Sequence, residues 1–148
     1  MSTSHPRKGK GSRLVLLGLG LALIGCGSRE GSTAPAAVEP TLISIQQQIL
    51  TPGCALSSCH SSTSQRGGLV LEAGRSYRQW VGVLAENEAA RAKSKLRVVP
   101  GHPEQSFLLD KLTGPGAEEG RLMPDGSTGL NPAQLEAIRL WVARGALE

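Results

Sequence analysis

The sequence predicts a small all-α domain of three to four short helices joined by long loops. Apolar residues recur at helical spacing in several short stretches, each flanked by residues that start or stop helices. The chain has 19 glycines and 9 prolines among its 148 residues, and this content predicts many turns. Aromatic residues make up only 3% of the sequence, so side chains alone give such a domain a modest core.

The first predicted helix covers residues 41–50, "TLISIQQQIL", in which Leu42, Ile45 and Ile49 share one face and Leu50 lies beside it. Thr41 is suited to its N-cap position. Pro52 and Gly53 are expected to end the helix, because proline and glycine disfavour helical backbone.

Two further helices are predicted in the middle of the domain. The stretch 76–85, "SYRQWVGVLA", has Ser76 as a possible cap. The stretch 102–112, "HPEQSFLLDKL", has Pro103 in its first turn, where the missing N–H costs no hydrogen bond. Residues 113–129 are predicted to form a long loop.

Charged residues between and after these helices predict exposed surface. Basic residues at alternate positions would share one face of an extended segment, which is either a docking site for an acidic partner or a solvated edge: Arg91, Lys93, Lys95 and Arg97. Glu118 and Glu119 lie in a glycine-flanked loop and are predicted to be solvated.

The last predicted helix has the strongest local signals. Asn131 is its expected N-cap, Pro132 its first residue, and Gln134 can complete a capping box. Four apolar residues then form the predicted buried stripe: Leu135, Ile138, Trp141 and Val142.

Residues 1–25 are predicted to be a lipoprotein signal peptide. A basic stretch precedes an apolar run of twelve residues, "LVLLGLGLALIG", which is too short to span a bilayer. The following "LIGC" resembles the bacterial lipobox, which implies lipidation of Cys26; an ordinary signal peptide with an incidental cysteine is the alternative. Residues 26–40 are predicted to be the lipidated cysteine and a flexible tether. Gly27 in place of Asp favours the outer membrane over the inner membrane.

Removing the leader also removes the chain's positive charge. Four of the 16 Lys and Arg lie in residues 1–25, which leaves 12 against the 12 Asp and Glu, so the mature net charge is zero. Nucleic acid is therefore not an expected partner, because binding it depends on a surplus of cationic side chains.

The stretch "TPGCALSSCHSS" contains Cys54, Cys59 and His60. The residues allow a covalent haem, a metal site or a disulfide. A disulfide persists outside the cytoplasm, and these cysteines are the only pair left once Cys26 is lipidated. A zinc site would need His102 as its fourth ligand.

Covalent haem needs two cysteines for thioether bonds and a histidine next to the second cysteine as an iron ligand. The common spacing has two residues between the cysteines, whereas this chain has the longer variant with four. Met123, in "RLMPDG", is the candidate for the second axial ligand, and His102 is the alternative.

Four stretches in order resemble the small class I cytochromes c, especially the single-haem domains of myxobacterial and planctomycete lipoproteins: "ILTPGCALSSCH", "RVVPGHPEQSFLLDKLTG", "RLMP" and "LNPAQLEAIRLWVARGA". The resemblance covers roughly residues 41–147. It implies a cytochrome c fold around one covalent haem c, with thioethers at Cys54 and Cys59, His60 as proximal ligand and Met123 as distal ligand. The chain departs from the family in its cysteine spacing and in having "MPDGS" where "MPPGG" is common.

From the residues and the resemblance we expect residues 41–148 to be a cytochrome c-like domain that carries single electrons and is not an enzyme. It would face the periplasm of a bacterial cell envelope, held to the membrane by its lipid, and exchange electrons with partner proteins that the sequence does not identify. One alternative is a disulfide-stapled envelope lipoprotein that binds other components without haem. Another is a haem-bearing sensor or peroxidase-like domain with an open distal site.

Overall fold

The computed structural model describes residues 37–148. The predicted signal peptide at 1–25, the lipidation site Cys26 and most of the predicted tether at 26–40 lie outside the described residues. Among residues 37–148, none of the helices has the length and apolar character needed to cross a bilayer.

Five short α-helices follow one another along residues 37–148, and this part of the chain contains no β-strand. They are α1 (Leu42–Ile45), α2 (Ser76–Trp80), α3 (Glu88–Ala92), α4 (Phe107–Thr113) and α5 (Pro132–Ala143). The predicted all-α class is confirmed, with five α-helices in place of the expected three to four. Short 3₁₀ turns at Arg66–Gly68 and Pro103–Gln105 interrupt the loops.

Two predicted helix caps are confirmed. The hydroxyl of Thr41 accepts a hydrogen bond from the backbone N–H of Ser44 at 3.3 Å, at the start of α1. At the start of α5, the Asn131 side chain accepts from the N–H of Gln134 at 2.9 Å, and the Gln134 side chain accepts from the N–H of Asn131 at 3.2 Å. These reciprocal bonds satisfy N–H groups that the first helical turn leaves without partners.

Pro52 and Gly53 do not end the first helix, so that prediction is wrong. α1 continues without a break as a π-helix over Gln46–Cys54, and Pro52 lies inside it. Proline cannot donate the usual helical hydrogen bond. Beyond it, the N–H of Ala55 reaches back five residues to the carbonyl of Leu50 at 2.7 Å, which is the wider bond of a π turn. The helical backbone therefore runs as far as Cys54.

The second helix is shorter than predicted, and Ser76 is not its cap. α2 ends at Trp80, and the chain turns at Gly82, whose φ of +70° is a conformation that favours glycine. Ser76 is the first helical residue and is buried. Its hydroxyl donates to the side-chain oxygen of Gln46 at 2.7 Å, which ties α2 to the π-helix.

The predicted helix at 102–112 is divided into two pieces. The 3₁₀ turn Pro103–Gln105 is followed by an extended Ser106, and α4 begins only at Phe107. Ser106 is fully buried, and its hydroxyl donates to the carbonyl of His102 at 2.9 Å and accepts from the N–H of Val99 at 2.9 Å. This local bonding competes with helical pairing and explains the break.

The basic residues at alternate positions do not share a solvated face. The segment is not extended throughout, because Arg91 lies in α3 and Lys93 caps it. Arg97 is buried, and Lys95 is paired with two carboxylates, from Asp110 and Glu119. Glu119 is itself buried, so its predicted solvation is also wrong.

The core joins the π-helix, α2, α4 and α5. Trp80 and Trp141 are at its centre, with ring centroids 6.0 Å apart and planes tilted by 39°. The predicted stripe of α5 is confirmed for Ile138, Trp141 and Val142, which are buried, while Leu135 is partly buried. This packing leaves a cavity beside Trp80.

Candidate functional site

A cavity of about 440 Å³ opens between the π-helix, α4, α5 and the loop at 113–131. Its walls are mainly apolar, with contributions from these side chains: Ile49, Leu50, Leu71, Trp80, Leu112 and Ile138. Ligand pockets in proteins are about 300–1,000 Å³ and are largely apolar with a few placed polar groups. All four predicted haem-site residues line this one cavity: Cys54, Cys59, His60 and Met123.

The two cysteines reach the cavity through a tight loop. Cys54 is the last residue of the π-helix, and its carbonyl accepts from the N–H of His60 at 3.0 Å. The N–H of Cys59 bonds the carbonyl of Leu56 at 2.9 Å. Of the four intervening residues, Leu56, Ser57 and Ser58 are exposed, while both cysteines stay at the cavity wall.

Both cysteines are free thiols in the structure. Burial, and to a smaller extent the nearby Cys59, together raise the pKa of Cys54 to about 11. At neutral pH Cys54 is thus a neutral thiol on an apolar wall.

His60 is held in one orientation by the backbone. Its Nδ1 lies 2.9 Å from the carbonyl oxygen of Arg66, and because a carbonyl only accepts, Nδ1 carries the proton. Burial lowers the pKa of His60, against the raising effect of the carbonyls of Arg66 and Leu69. The neutral ring then has its lone pair on Nε2, the form in which a histidine binds a metal while its other nitrogen donates to a carbonyl.

Met123 comes to the cavity from the long loop. Its N–H donates to the carbonyl of Lys111 in α4 at 2.7 Å, which fixes the backbone of the loop at this position. Its side chain is partly buried and packs against the core. A thioether is a soft, neutral donor that can act as an axial ligand to haem iron.

His102 is not part of the site. Its side chain is 55% exposed, Nδ1 lies 3.2 Å from the carboxylate of Glu104, and it is not among the residues that line the cavity. Within residues 37–148, no group of three or more His, Cys, Asp and Glu side chains is arranged to hold a metal ion. The structure therefore does not bring His102 to Cys54, Cys59 and His60 as a zinc site requires.

One wall residue was not anticipated as part of the site. Arg97 is only 7% exposed and lines the cavity, and its guanidinium donates to three backbone carbonyls: those of Gln79 at 2.7 Å, Gly67 at 3.2 Å and Gly68 at 3.1 Å. In the described part of the chain it forms no ion pair with a carboxylate. Burial lowers the pKa of Arg97, although Glu86 partly offsets this, and a guanidinium stays charged in proteins. The site thus contains a buried cation that faces an apolar cavity.

Comparison of the chain with models of protein families, with curated proteins and with solved structures gives no significant match.

Proposed function

We propose that this chain is a lipid-anchored c-type cytochrome with one covalent haem, which carries single electrons in the bacterial cell envelope. The main support is that Cys54, Cys59, His60 and Met123 line a single apolar cavity, although Met123 is distant from the others in sequence. The helical fold around the cavity is compatible with a cytochrome c-like domain.

The residues at the cavity match the chemical requirements of a covalent haem. Each cysteine thiol would add across a vinyl group, with sulfur bonding one carbon and hydrogen the other, so attachment needs no leaving group. His60 offers a neutral imidazole whose Nδ1 is occupied by Arg66, which leaves Nε2 as the iron ligand. The apolar walls would suit a porphyrin face, and Arg97 would offer a buried positive charge to the acidic substituents of a haem.

When bound, the haem would supply reversible one-electron chemistry at its iron. The chain's own residues would attach it, orient the imidazole, supply a thioether from Met123 and exclude water from the apolar walls. A methionine ligand favours a higher reduction potential than a second histidine does. Because Met123 and His60 would both hold the iron, we expect an electron carrier and no enzymatic activity.

The cellular setting is part of the same proposal. Residues 1–25 would direct export, and Cys26 would carry the lipid that holds the domain in the envelope, facing the periplasm. The outer membrane is favoured because Gly27 is not the aspartate of an inner-membrane retention signal.

The deciding experiment is intact mass and a visible spectrum of the full chain, matured in a bacterial host with cytochrome c assembly machinery. We expect a mass equal to the polypeptide from Cys26, plus acyl chains, plus one haem, with colour that survives acid–acetone extraction. Cys54→Ser and Cys59→Ser should each weaken covalent attachment, and the double variant should abolish it. Ser57→Ala, in the same loop, is the matched control and should retain the haem.

Two outcomes would overturn the proposal in different ways. A colourless protein that weighs two hydrogens less than its reduced form would indicate a Cys54–Cys59 disulfide and the haem-free binding module. A covalent haem whose resting spectrum is unchanged by Met123→Ala would indicate an open distal site, as in a sensor or a peroxidase-like domain.

A further inference from the structure

The loop that carries Met123 is anchored by ion pairs to one buried carboxylate, that of Glu119. The Glu119 carboxylate is 1% exposed and lies 3.0 Å from Nζ of Lys93 and 2.7 Å from Nζ of Lys95. Lys95 also pairs with Asp110 of α4 at 2.9 Å. We call Glu119, Lys93, Lys95 and Asp110 the Glu119 cluster. It joins the loop to the segment after α3 and to α4, with the buried carboxylate of Glu119 at its centre.

The same carboxylate also shapes the loop internally. Its second oxygen accepts a hydrogen bond from the backbone N–H of Gly116 at 3.0 Å. A Cβ on Gly116 would come within 3.2 Å of this oxygen, so the close approach depends on glycine there. Glu119 thus fixes both the loop's own turn and its contact with the rest of the domain.

Lys111 holds the loop from the side of α4. Its Nζ donates to the carbonyl of Glu119 at 3.0 Å and to the carbonyl of Arg121. Its own backbone carbonyl accepts from the N–H of Met123 at 2.7 Å. The stretch from Gly116 to Met123 is therefore fixed near its start by the Glu119 side chain. Further along, Lys111 fixes it as far as Met123.

We infer that Glu119 is a positioning residue for Met123, whose cluster holds the loop in place so that the thioether stays at the haem iron. This inference rests on the proposed function. A thioether is a neutral ligand with a single sulfur donor, so its occupancy depends on how much freedom the loop has to withdraw it. Loosening the loop lowers the effective concentration of the sulfur at the iron and makes an external ligand a better competitor.

The test is imidazole binding to the ferric, matured protein, followed by its visible spectrum. Imidazole competes with Met123 for the distal position, so we expect Glu119→Gln to tighten imidazole binding by about tenfold relative to the wild type. Glu118→Gln is the matched control, because Glu118 is the adjacent, exposed carboxylate of the same loop. This variant should bind imidazole as tightly as the wild type. Lys93→Met removes one of the two lysine partners and should give a smaller shift in the same direction.

A double-mutant cycle separates positioning from general loss of stability. Met123→Ala should bind imidazole most tightly, and adding Glu119→Gln to it should produce no further change, because no thioether remains to be displaced. The inference is overturned if Glu119→Gln and Lys93→Met bind imidazole as the wild type does while Met123→Ala binds it more tightly. It is also overturned if Glu119→Gln lowers the urea midpoint but leaves the imidazole affinity unchanged. The same holds if Glu119→Gln changes the imidazole affinity as much in the Met123→Ala background as in the wild type.

The failure of the proposed function would look different. If the matured protein contains no covalent haem, there is no imidazole spectrum to follow. If Met123→Ala binds imidazole like the wild type, the distal ligand is not Met123, and the assignment of the site fails before Glu119 is considered. If Glu119→Gln does not mature, the imidazole affinities of Lys93→Met and Glu118→Gln decide. Tighter binding by Lys93→Met supports the inference, and equal binding overturns it.

Discussion

Nδ1 of His60 lies 2.9 Å from the backbone oxygen of Arg66, in the turn that follows the two cysteines. The N–H of Arg66 in turn donates to the carbonyl of Cys59 at 3.1 Å. The imidazole is therefore oriented by the same loop that holds the second cysteine. A histidine bound in this way is fixed before any ligand arrives, which lowers the entropy cost of coordination.

Replacing His60 with alanine should remove the proposed proximal ligand and leave the proposed attachment points, Cys54 and Cys59, intact. We expect His60→Ala to yield a protein with little haem, or with haem whose spectrum shows a changed iron coordination. His102→Ala is the control, because His102 is exposed and lies away from the cavity lining, and its spectrum should match the wild type. Visible spectra of the two variants at equal protein concentration test this. A large spectral change in His102→Ala alone would mean that His102, and not His60, binds the iron.

Arg97 should matter for stability because its buried guanidinium donates to three backbone carbonyls in two separate segments. Arg97→Met keeps most of the apolar stem but leaves the carbonyls of Gln79, Gly67 and Gly68 without this donor. We expect a loss of about 3 kcal/mol in the free energy of unfolding. Urea unfolding measures this, with Arg78→Met as the exposed arginine control, expected within about 0.5 kcal/mol of the wild type.

Arg97→Lys refines this prediction. A lysine ammonium is compact and cannot present the same planar fork of donors, so it should recover only part of the stability. If Arg97→Met were as stable as Arg78→Met, the three hydrogen bonds would contribute nothing to folding.

The parts of the fold that the sequence predicted are those governed by neighbouring residues. The caps at Thr41 and Asn131 and the stripe of α5 depend on side chains within one or two helical turns. The four residues of the proposed haem site are candidates from the sequence, Cys54, Cys59 and His60 by their residue types and spacing and Met123 by its residue type and its place in the long loop. Their assembly at one cavity is a tertiary result, and only the structure provides it.

The wrong predictions have one local cause and two tertiary causes. Pro52 was expected to stop a helix, but the π turn that closes on Leu50 accommodates it. Arg97 and Glu119 were assigned to the surface because charged residues are mostly exposed. Each is buried only because distant segments supply its partners, which are backbone carbonyls for Arg97 and two lysines for Glu119. No spacing rule within the sequence reveals such partners.

The capping box of α5 provides a test of a local feature. Asn131→Ala removes the acceptor for the N–H of Gln134 and should destabilise the domain by about 1 kcal/mol. Asn131→Asp keeps an oxygen at the same place and should retain most of the stability. Thermal or urea unfolding of both variants measures the difference, and equal losses would mean that the side-chain oxygen is not what stabilises this end of α5.

Glu119 makes stability depend on pH in a defined direction. Hydrogen bonds from Lys95 and Lys93 lower the pKa of Glu119 to about 2, against the raising effect of burial. The charged groups around it are these two lysines, Asp110 beyond Lys95, and Lys111 of α4. In the unfolded chain these partners are lost, so its pKa returns to the ordinary value of 4.5.

Because the folded pKa of Glu119 is below the unfolded one, its contribution to stability is complete above about pH 5 and is lost as the pH falls towards about 2. We therefore expect the wild type to be more stable than Glu119→Gln at pH 7 and the gap between their urea midpoints to narrow on acidification. Other acid-sensitive groups are common to both proteins and cancel in this comparison. Glu136→Gln is the control, since Glu136 pairs with Arg139 on the exposed side of α5, where ion pairs contribute little to stability. A gap for Glu119→Gln that stays constant between pH 7 and about pH 3 would show that the carboxylate is not held ionised by its lysines.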